Sequence, residues 1–104
     1  MIGQFDVYAN LDPKSSRSHP YLIVLQANAI GHLNTRIVAP LVAPKAVPFF
    51  ERLMPSVVVS GTHYVIDVTN IGVVAVKSLT KLVANLEPER YRIIGAIDLV
   101  FTGV

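Results

Sequence analysis

The feature that most constrains the fold of this chain is its density of β-branched residues in short apolar runs. Val, Ile and Thr account for 30 of the 104 residues, and apolar runs of three to six residues are interrupted by Pro, Gly or charged residues. Branching at Cβ favours pleated strands. A transmembrane helix takes about 18 consecutive apolar residues, so these runs predict a small, mostly antiparallel β protein with no membrane partner.

Composition adds expectations about organisation and assembly. Hydrophobic residues make up 52% of the chain and charged residues 15%, against about 25% charged residues in a typical domain, which excludes intrinsic disorder. The length predicts a single domain over residues 1–104. A domain of this size buries only about two-thirds of its chain surface, so the apolar excess predicts exposed hydrophobic surface and a homodimer.

Charge and cysteine content narrow the partners and the compartment. The net charge is +2 and the basic residues do not cluster, so direct nucleic-acid binding is not expected. The absence of Cys excludes disulfides and cysteine-based zinc sites. Because the first residues do not have the pattern of a signal peptide, we expect a cytoplasmic protein.

Hydrophobic periodicity predicts six strands and short helical insertions. The strands are expected over 4–9, 21–27, 35–41, 56–60, 62–69 and 73–77. A tight turn at Gly61 joins the fourth strand to the fifth. Residues 48–53 are predicted as a short helix that Pro48 begins, and residues 78–86 are compatible with a helical turn or two. These elements favour a β-rich α+β fold built on a small barrel-like antiparallel sheet.

The C-terminal segment is predicted to be a helix with two different faces. Pro88 occupies the first helical position, and Glu87 and Glu89 lie where the helix dipole favours acidic residues. At 100° per residue, one broad face is apolar and would pack on the sheet: Ile93, Ala96, Ile97, Val100 and Val104, flanked by Ile94 and Phe101. The opposite face carries a smooth, weakly polar stripe: Tyr91, Gly95, Asp98 and Thr102. This stripe is the surface that we expect to remain open to a partner.

Catalytic signals are weak. The sequence has no phosphate-binding loop, no dinucleotide-binding motif and no H-E-x-x-H, and we predict no catalytic residue, no cofactor and no metal. His63 and Asp67, four residues apart on one strand face, form a weak candidate acid–base pair. His32 or Thr35 with Arg36 offers the groups that metal-free RNA cleavage needs. The simpler interpretation is a polar turn entering a strand, with Arg36 in solvent, so the sequence favours a binding surface over an active site.

Several segments together resemble one known family. They are QFDVY at 4–8, the apolar run at 21–26, the motif Arg36-x-Val38-x-Pro40-Leu41, the VVAV run at 73–76 and the terminal AIDLVFTGV at 96–104. In order and position they resemble the CcdB family, the toxins of bacterial toxin–antitoxin pairs that poison DNA gyrase. The resemblance extends over nearly the whole chain.

The resemblance implies a homodimer with an SH3-like barrel core, an additional small sheet and a C-terminal helix. It also implies that the last helix and the chain end bind the A subunit of DNA gyrase and trap the gyrase–DNA cleavage complex. A cognate antitoxin would meet the same region through its disordered C-terminal segment. Such a toxin acts in the bacterial cytoplasm by binding protein, not as an enzyme.

The candidate partner-binding residues combine the stripe with the terminal motif: Tyr91, Gly95, Asp98, Phe101, Thr102, Gly103 and Val104. Asp98 stands where the family often has Asn, and Thr102 stands where the family motif carries Trp. A threonine has no ring to stack on an arginine of the target. Tyr91 is therefore the candidate replacement for the aromatic anchor.

Two alternatives remain open from the sequence. One is an endoribonuclease toxin of the MazF type, which shares the SH3-like toxin fold but would need a basic RNA-binding groove. The other is a non-toxic CcdB-like homologue that binds antitoxin only, which the loss of the Trp leaves possible.

Overall fold

The strands pair into one antiparallel sheet that curls into a half-barrel. The computed structural model describes residues 2–30, 32–44 and 51–103. Within these residues the strands are β1 (Asp6–Ala9), β2 (Tyr21–Val24), β3 (Thr35–Val42), β4 (Ser56–Val59), β5 (Thr62–Ile66), β6 (Gly72–Ala75) and β7 (Leu82–Asn85). Their order is β4-β5-β3-β2-β1-β7, and β6 pairs with β3. The helix α1 (Arg90–Thr102) follows β7.

β3 holds the sheet together because three strands pair with it. β2 pairs along its middle, β6 pairs with its first half, and β5 joins its last two residues through the pairs Leu41–Ile66 and Val42–Val65. β4 and β5 thereby extend the main sheet. The predicted fold class, a β-rich α+β protein with a small barrel-like antiparallel sheet and a C-terminal helix, is confirmed.

The β4–β5 hairpin turns at two residues with positive φ. Ser60 has φ 51° and Gly61 has φ 79°, the backbone that a two-residue type I′ turn requires and that matches the right-handed twist of the strands. The tight connection predicted at Gly61 is confirmed.

The main core lies between the concave face of the sheet and α1. Its largest fully buried side chains come from four strands or strand ends and from the helix: Phe5, Ile23, Leu41, Ile66 and Ile93. α1 buries Ile93 and Ala96 completely, and Ile97 and Val100 pack against them. The predicted apolar face of the helix is therefore confirmed for these four residues, whereas Val104 lies outside the described residues.

A second, smaller cluster lies on the opposite face of the sheet, and it corrects the interpretation of Arg36. Tyr8, Val24, Val38 and Leu79 are buried there. Arg36 precedes Val38 by two residues and so shares its face of β3; the side chain is only 5% exposed. The expectation that Arg36 lies in solvent was wrong, because the segment after β6 covers this face.

The polar groups beside this second cluster, the guanidinium of Arg36 and the hydroxyl of Tyr8, interact with other groups of the protein. Nη1 of Arg36 donates hydrogen bonds to the main-chain carbonyls of Leu33 (2.5 Å) and Thr35 (2.9 Å). Burial and the nearby carboxylate of Asp6 raise the pKa of Tyr8, and the Arg36 guanidinium opposes that rise. These contacts give Arg36 a structural position inside the fold.

Several predicted strand boundaries shift. The second strand ends at Val24 rather than residue 27, and the sixth covers Gly72–Ala75 rather than residues 73–77. The first strand begins at Asp6, not at residue 4, because Phe5 has φ 68°. In this conformation the N–H of Phe5 donates to Val24 (2.7 Å) and its carbonyl accepts from Leu86 (2.9 Å), which closes β1 between its two neighbours. The fifth strand ends at Ile66 rather than residue 69.

The segment 78–86 differs most from its prediction. It forms the strand β7, which pairs with β1, instead of a helical turn or two; a short 3₁₀ turn over Val76–Ser78 precedes it. The edge of β1 that β2 leaves unpaired offers main-chain hydrogen bonds to this segment. The periodicity of the segment alone does not predict that pairing. Of the short helix predicted at 48–53, residues 48–50 lie outside the described residues, and 51–53 form a turn.

The pair His63 and Asp67 has no catalytic arrangement in the fold. Asp67 follows β5 and caps the 3₁₀ turn Val68–Asn70, because its carboxylate accepts from the N–H (3.2 Å) and hydroxyl (2.5 Å) of Thr69. His63 lies exposed at the other end of β5.

Among the residues that the structure describes, no helix is long and apolar enough to cross a membrane.

Candidate partner-binding site

The exposed stripe on α1 is formed by the side chains that the helical projection placed opposite the core. Tyr91, Gly95, Asp98 and Thr102 are all exposed, and Tyr91 is 86% exposed. A 3₁₀ turn over Glu87–Glu89, with Pro88 in its first turn, leads directly into the helix. The stripe therefore follows from how α1 buries Ile93 and Ala96 on its other side.

The end of α1 is closed by Gly103. This residue has φ 75°, and its N–H donates to the carbonyl of Leu99 at 3.0 Å. A left-handed residue at this position is a common helix cap, which glycine adopts without a Cβ penalty. The hydroxyl of Thr102 donates to the carbonyl of Asp98 (2.7 Å). Thr102 and Gly103 therefore both stabilise the last turn of the helix. Val104, the remaining candidate residue, lies outside the described residues.

A groove lies between the stripe and the turn that precedes β4, and we call it the charged groove. It has a volume of about 290 Å³ and is lined by Glu51, Arg52, Tyr91, Arg92, Gly95 and Asp98. Three residues of the predicted site thus lie together, beside a turn that the sequence pattern did not assign to the site.

Hydrogen bonds from Arg92 connect the two walls of the charged groove. Its guanidinium forms an ion pair with Glu51 and donates to Glu89 (2.5 Å) and to the carbonyl of Ser56 (2.8 Å). Burial alone raises the pKa of Glu51, but hydrogen bonds with Arg92 and Ser56 outweigh it, so the pKa lies below its ordinary value. Within the described residues, Arg52 and Asp98 form neither an ion pair nor a side-chain hydrogen bond.

Phe101 belongs to a different surface, which we call the apolar groove. This groove has a volume of about 340 Å³ and is lined by Leu25, Gln26, Ala27, Ile30, Ile37, Ile71, Ile97 and Phe101. Phe101 is 69% exposed, and Ile30 and Ile37 are 44% and 38% exposed. Exposed apolar side chains gathered in one place indicate an interaction surface.

The structure thus divides the predicted site between two surfaces. Tyr91, Gly95 and Asp98 line the charged groove, and Phe101 lines the apolar groove on another side of the helix. Sequence reasoning missed Ile30 and Ile37 because each is unremarkable alone. The alternation in β3 places Ile37 opposite Arg36, but only the tertiary fold brings it beside the end of α1.

The half-barrel thus carries an exposed C-terminal helix, with a surface groove on each of two sides of that helix. The family model for CcdB protein matches residues 4–103, nearly the whole chain, and the protein belongs to the CcdB family. Membership of this family makes it a toxin of a toxin–antitoxin system.

Comparison with solved structures, but not with curated proteins, shows a shared fold. No curated protein matches the chain significantly. A solved structure of an endoribonuclease in complex with its cognate antitoxin, from mycobacterial species, is similar with a TM-score of 0.76 at 13% identity. The match covers 96% of this chain and 94% of that chain. At this identity the similarity shows a shared fold.

Proposed function

We propose that this toxin binds the A subunit of DNA gyrase through the stripe and the chain end, and traps the gyrase–DNA cleavage complex. The observation that carries the proposal is the exposed C-terminal helix of a CcdB family member, with Tyr91 almost fully in solvent. Binding of this kind needs neither a cofactor nor an active site.

Tyr91 takes the role of aromatic anchor in this proposal. Thr102 directs its hydroxyl to the Asp98 carbonyl and has no ring with which to stack. Tyr91 offers a flat face on the same stripe, and a cation over an exposed ring contributes about 0.5–1 kcal/mol, rising when the contact is desolvated. A target arginine is the natural occupant of that face.

The apolar groove is proposed as the homodimer interface. Ile30, Ile37 and Phe101 expose apolar surface beside the end of the helix, and a second copy related by a two-fold axis would cover it. This arrangement brings two chain ends close together and presents them to a two-fold symmetric target.

A cognate antitoxin is the second proposed partner. The similar endoribonuclease was solved with its cognate antitoxin, and membership of the CcdB family supports such a partner here. We propose that its disordered C-terminal segment binds at the helix end and competes with gyrase. Both partners place the toxin in the bacterial cytoplasm.

The endoribonuclease alternative rests on the shared fold with that neighbour. It needs a cation presented to the phosphate, but Arg36 is buried and donates to main-chain carbonyls. The arrangement of His32, Thr35 and Arg36 suggested by the sequence is therefore a poor ribonuclease site, and protein binding remains the better proposal.

The deciding experiment incubates purified toxin with gyrase, ATP and plasmid DNA, and then denatures the enzyme with detergent. We expect linear DNA, its loss when an antitoxin C-terminal peptide is added, and a weaker response for Tyr91→Ala. Val58→Ala is the matched control, because Val58 is an exposed apolar residue of β4 outside both grooves.

Three other outcomes decide between the alternatives. Intact DNA together with harmless expression in bacteria contradicts gyrase poisoning. If antitoxin binding persists in that case, the protein is a non-toxic homologue. Cleavage of single-stranded RNA by the same preparation supports the endoribonuclease.

A further inference from the structure

Gly95 is a glycine in the interior of α1 that the fold itself does not require. An interior glycine lowers helix stability relative to alanine. A Cβ built on Gly95 meets nothing within 4 Å, and its backbone is ordinary right-handed helix. Packing against the described residues therefore does not explain the absence of a side chain at this position.

The residues around Gly95 indicate what could occupy the space that a side chain would fill. Gly95 lines the charged groove with Tyr91 and with two charged residues that have no partner among the described residues, Arg52 and Asp98. The other two charged residues of the groove, Glu51 and Arg92, form an ion pair, and Arg92 also pairs with Glu89. One unpaired cation and one unpaired anion thus face the same open space.

We propose that a segment of the target protein lies directly against the Cα of Gly95, with an acidic side chain at Arg52 and a basic side chain at Asp98. The inference rests on the proposed function, because the target is the gyrase A subunit bound by the stripe. It adds Arg52, from a turn outside the helix, as a residue that determines specificity, and it gives Gly95 the role of allowing close approach.

Charge and continuity favour this occupant. The lining of the groove among the described residues contains two acidic and two basic residues, so these side chains provide no net charge to attract a strongly acidic peptide. The groove matches a folded surface with mixed charges, on which complementary pairs determine register and specificity. Tyr91 and Asp98 also belong to the same stripe as Thr102, so the groove continues the surface proposed for the target.

The principal test substitutes Gly95→Ala and measures stability and affinity separately. Thermal unfolding of the toxin is expected to shift upward by about 4 °C or more, since alanine is the better helix former. Binding to purified gyrase A subunit, measured by calorimetry, is expected to weaken about tenfold or more, because the added methyl group overpacks the contact. Opposite signs for stability and affinity separate this role from a structural one.

The matched control is Gly72→Ala. Gly72 lies in β6 outside both grooves, and a Cβ there also meets nothing within 4 Å. The affinity of the Gly72→Ala variant for gyrase A subunit is expected to equal that of the wild type. Arg52→Glu supplies an independent variant on an exposed side chain, and its affinity is expected to fall about fivefold or more, with the loss shrinking at high salt.

Each outcome decides the inference. Unchanged affinity of Gly95→Ala and Arg52→Glu, while the wild type binds, overturns the groove contact and leaves the proposed function standing. Failure of the wild type to bind gyrase A subunit removes the proposed function and this inference with it. If the wild type is a dimer and the Gly95→Ala variant is a monomer, the groove is the interface with a second copy, and the inference is overturned.

Discussion

Arg92, in the first turn of α1, forms an ion pair with Glu51, which precedes it by 41 residues in the chain. The same guanidinium donates to the carbonyl of Ser56 at 2.8 Å. These contacts hold the start of the helix against the turn before β4, and so they determine the width of the charged groove. A polar contact between distant segments thereby positions Tyr91 and Gly95.

Substitution of Glu51→Gln is expected to reduce stability in a pH-dependent way. The pKa of Glu51 in the folded protein lies below its ordinary value of 4.5, so its contribution is complete above that pH and is lost as pH falls through the lower folded value. The pair is exposed, so we expect a loss of about 0.5 kcal/mol at pH 7 and a difference from the wild type that shrinks as the pH falls below 4.5. Urea unfolding across this range measures it.

The control for that prediction is Arg92→Gln, alone and combined with Glu51→Gln. In the absence of Arg92, Glu51→Gln is expected to have no further effect on the free energy of unfolding at pH 7. Equal losses in both backgrounds contradict a direct interaction between the two side chains.

Arg36→Ala is expected to destabilise the protein by about 2–3 kcal/mol, since a buried side chain is removed and the carbonyls of Leu33 and Thr35 lose their charged donor. Arg52→Ala is the matched control: its side chain is exposed, and we expect a change within about 0.5 kcal/mol. Urea unfolding of both variants provides the comparison. Similar stability for the two would show that the buried contacts of Arg36 contribute little.

Gly103→Ala is expected to lower the free energy of unfolding by about 1 kcal/mol, because alanine is strained in the left-handed conformation. Gly103→Asn is expected to lie close to the wild type, since Asn tolerates this conformation. Helical circular dichroism during thermal unfolding measures both effects. Equal losses for Ala and Asn argue against the capping role.

Ile37→Lys is expected to convert the proposed dimer to a folded monomer, because a charge in the apolar groove would be buried against the second copy. Val58→Lys places the same charge on an exposed apolar site outside the groove and is expected to leave the dimer intact. Light scattering after size exclusion reports the mass. A dimeric Ile37→Lys protein excludes this groove as the interface.

Much of α1 was predictable because a helix has a fixed angular period. The spacing of Ile93, Ala96 and Ile97 identifies the face that the structure buries, and Tyr91 falls on the face that it exposes. The turn at Gly61 was equally local. The conformation of Phe5 was not predictable, because its positive φ is maintained by hydrogen bonds to Val24 and Leu86, which are distant in sequence.

In the candidate site, too, some features were predictable from local sequence and others depend on contacts between distant segments. The stripe was accessible from periodicity, but its separation from Phe101 and the inclusion of Arg52 were not. Arg36 illustrates the limit most clearly: alternation along β3 assigns it a face, but it does not say that Leu79 and its neighbours cover that face.

By itself, the sequence determined the β-rich character, the C-terminal helix with its two faces, and the resemblance to the CcdB family. These properties depend on Cβ branching, on the helical period and on local motifs, and all of them act over a few residues. Only the tertiary structure decided that Leu82–Asn85 form a strand, that Arg36 is buried, and that two grooves flank α1. Each of these depends on which distant segments meet, and the free energy of those contacts outweighs local preference.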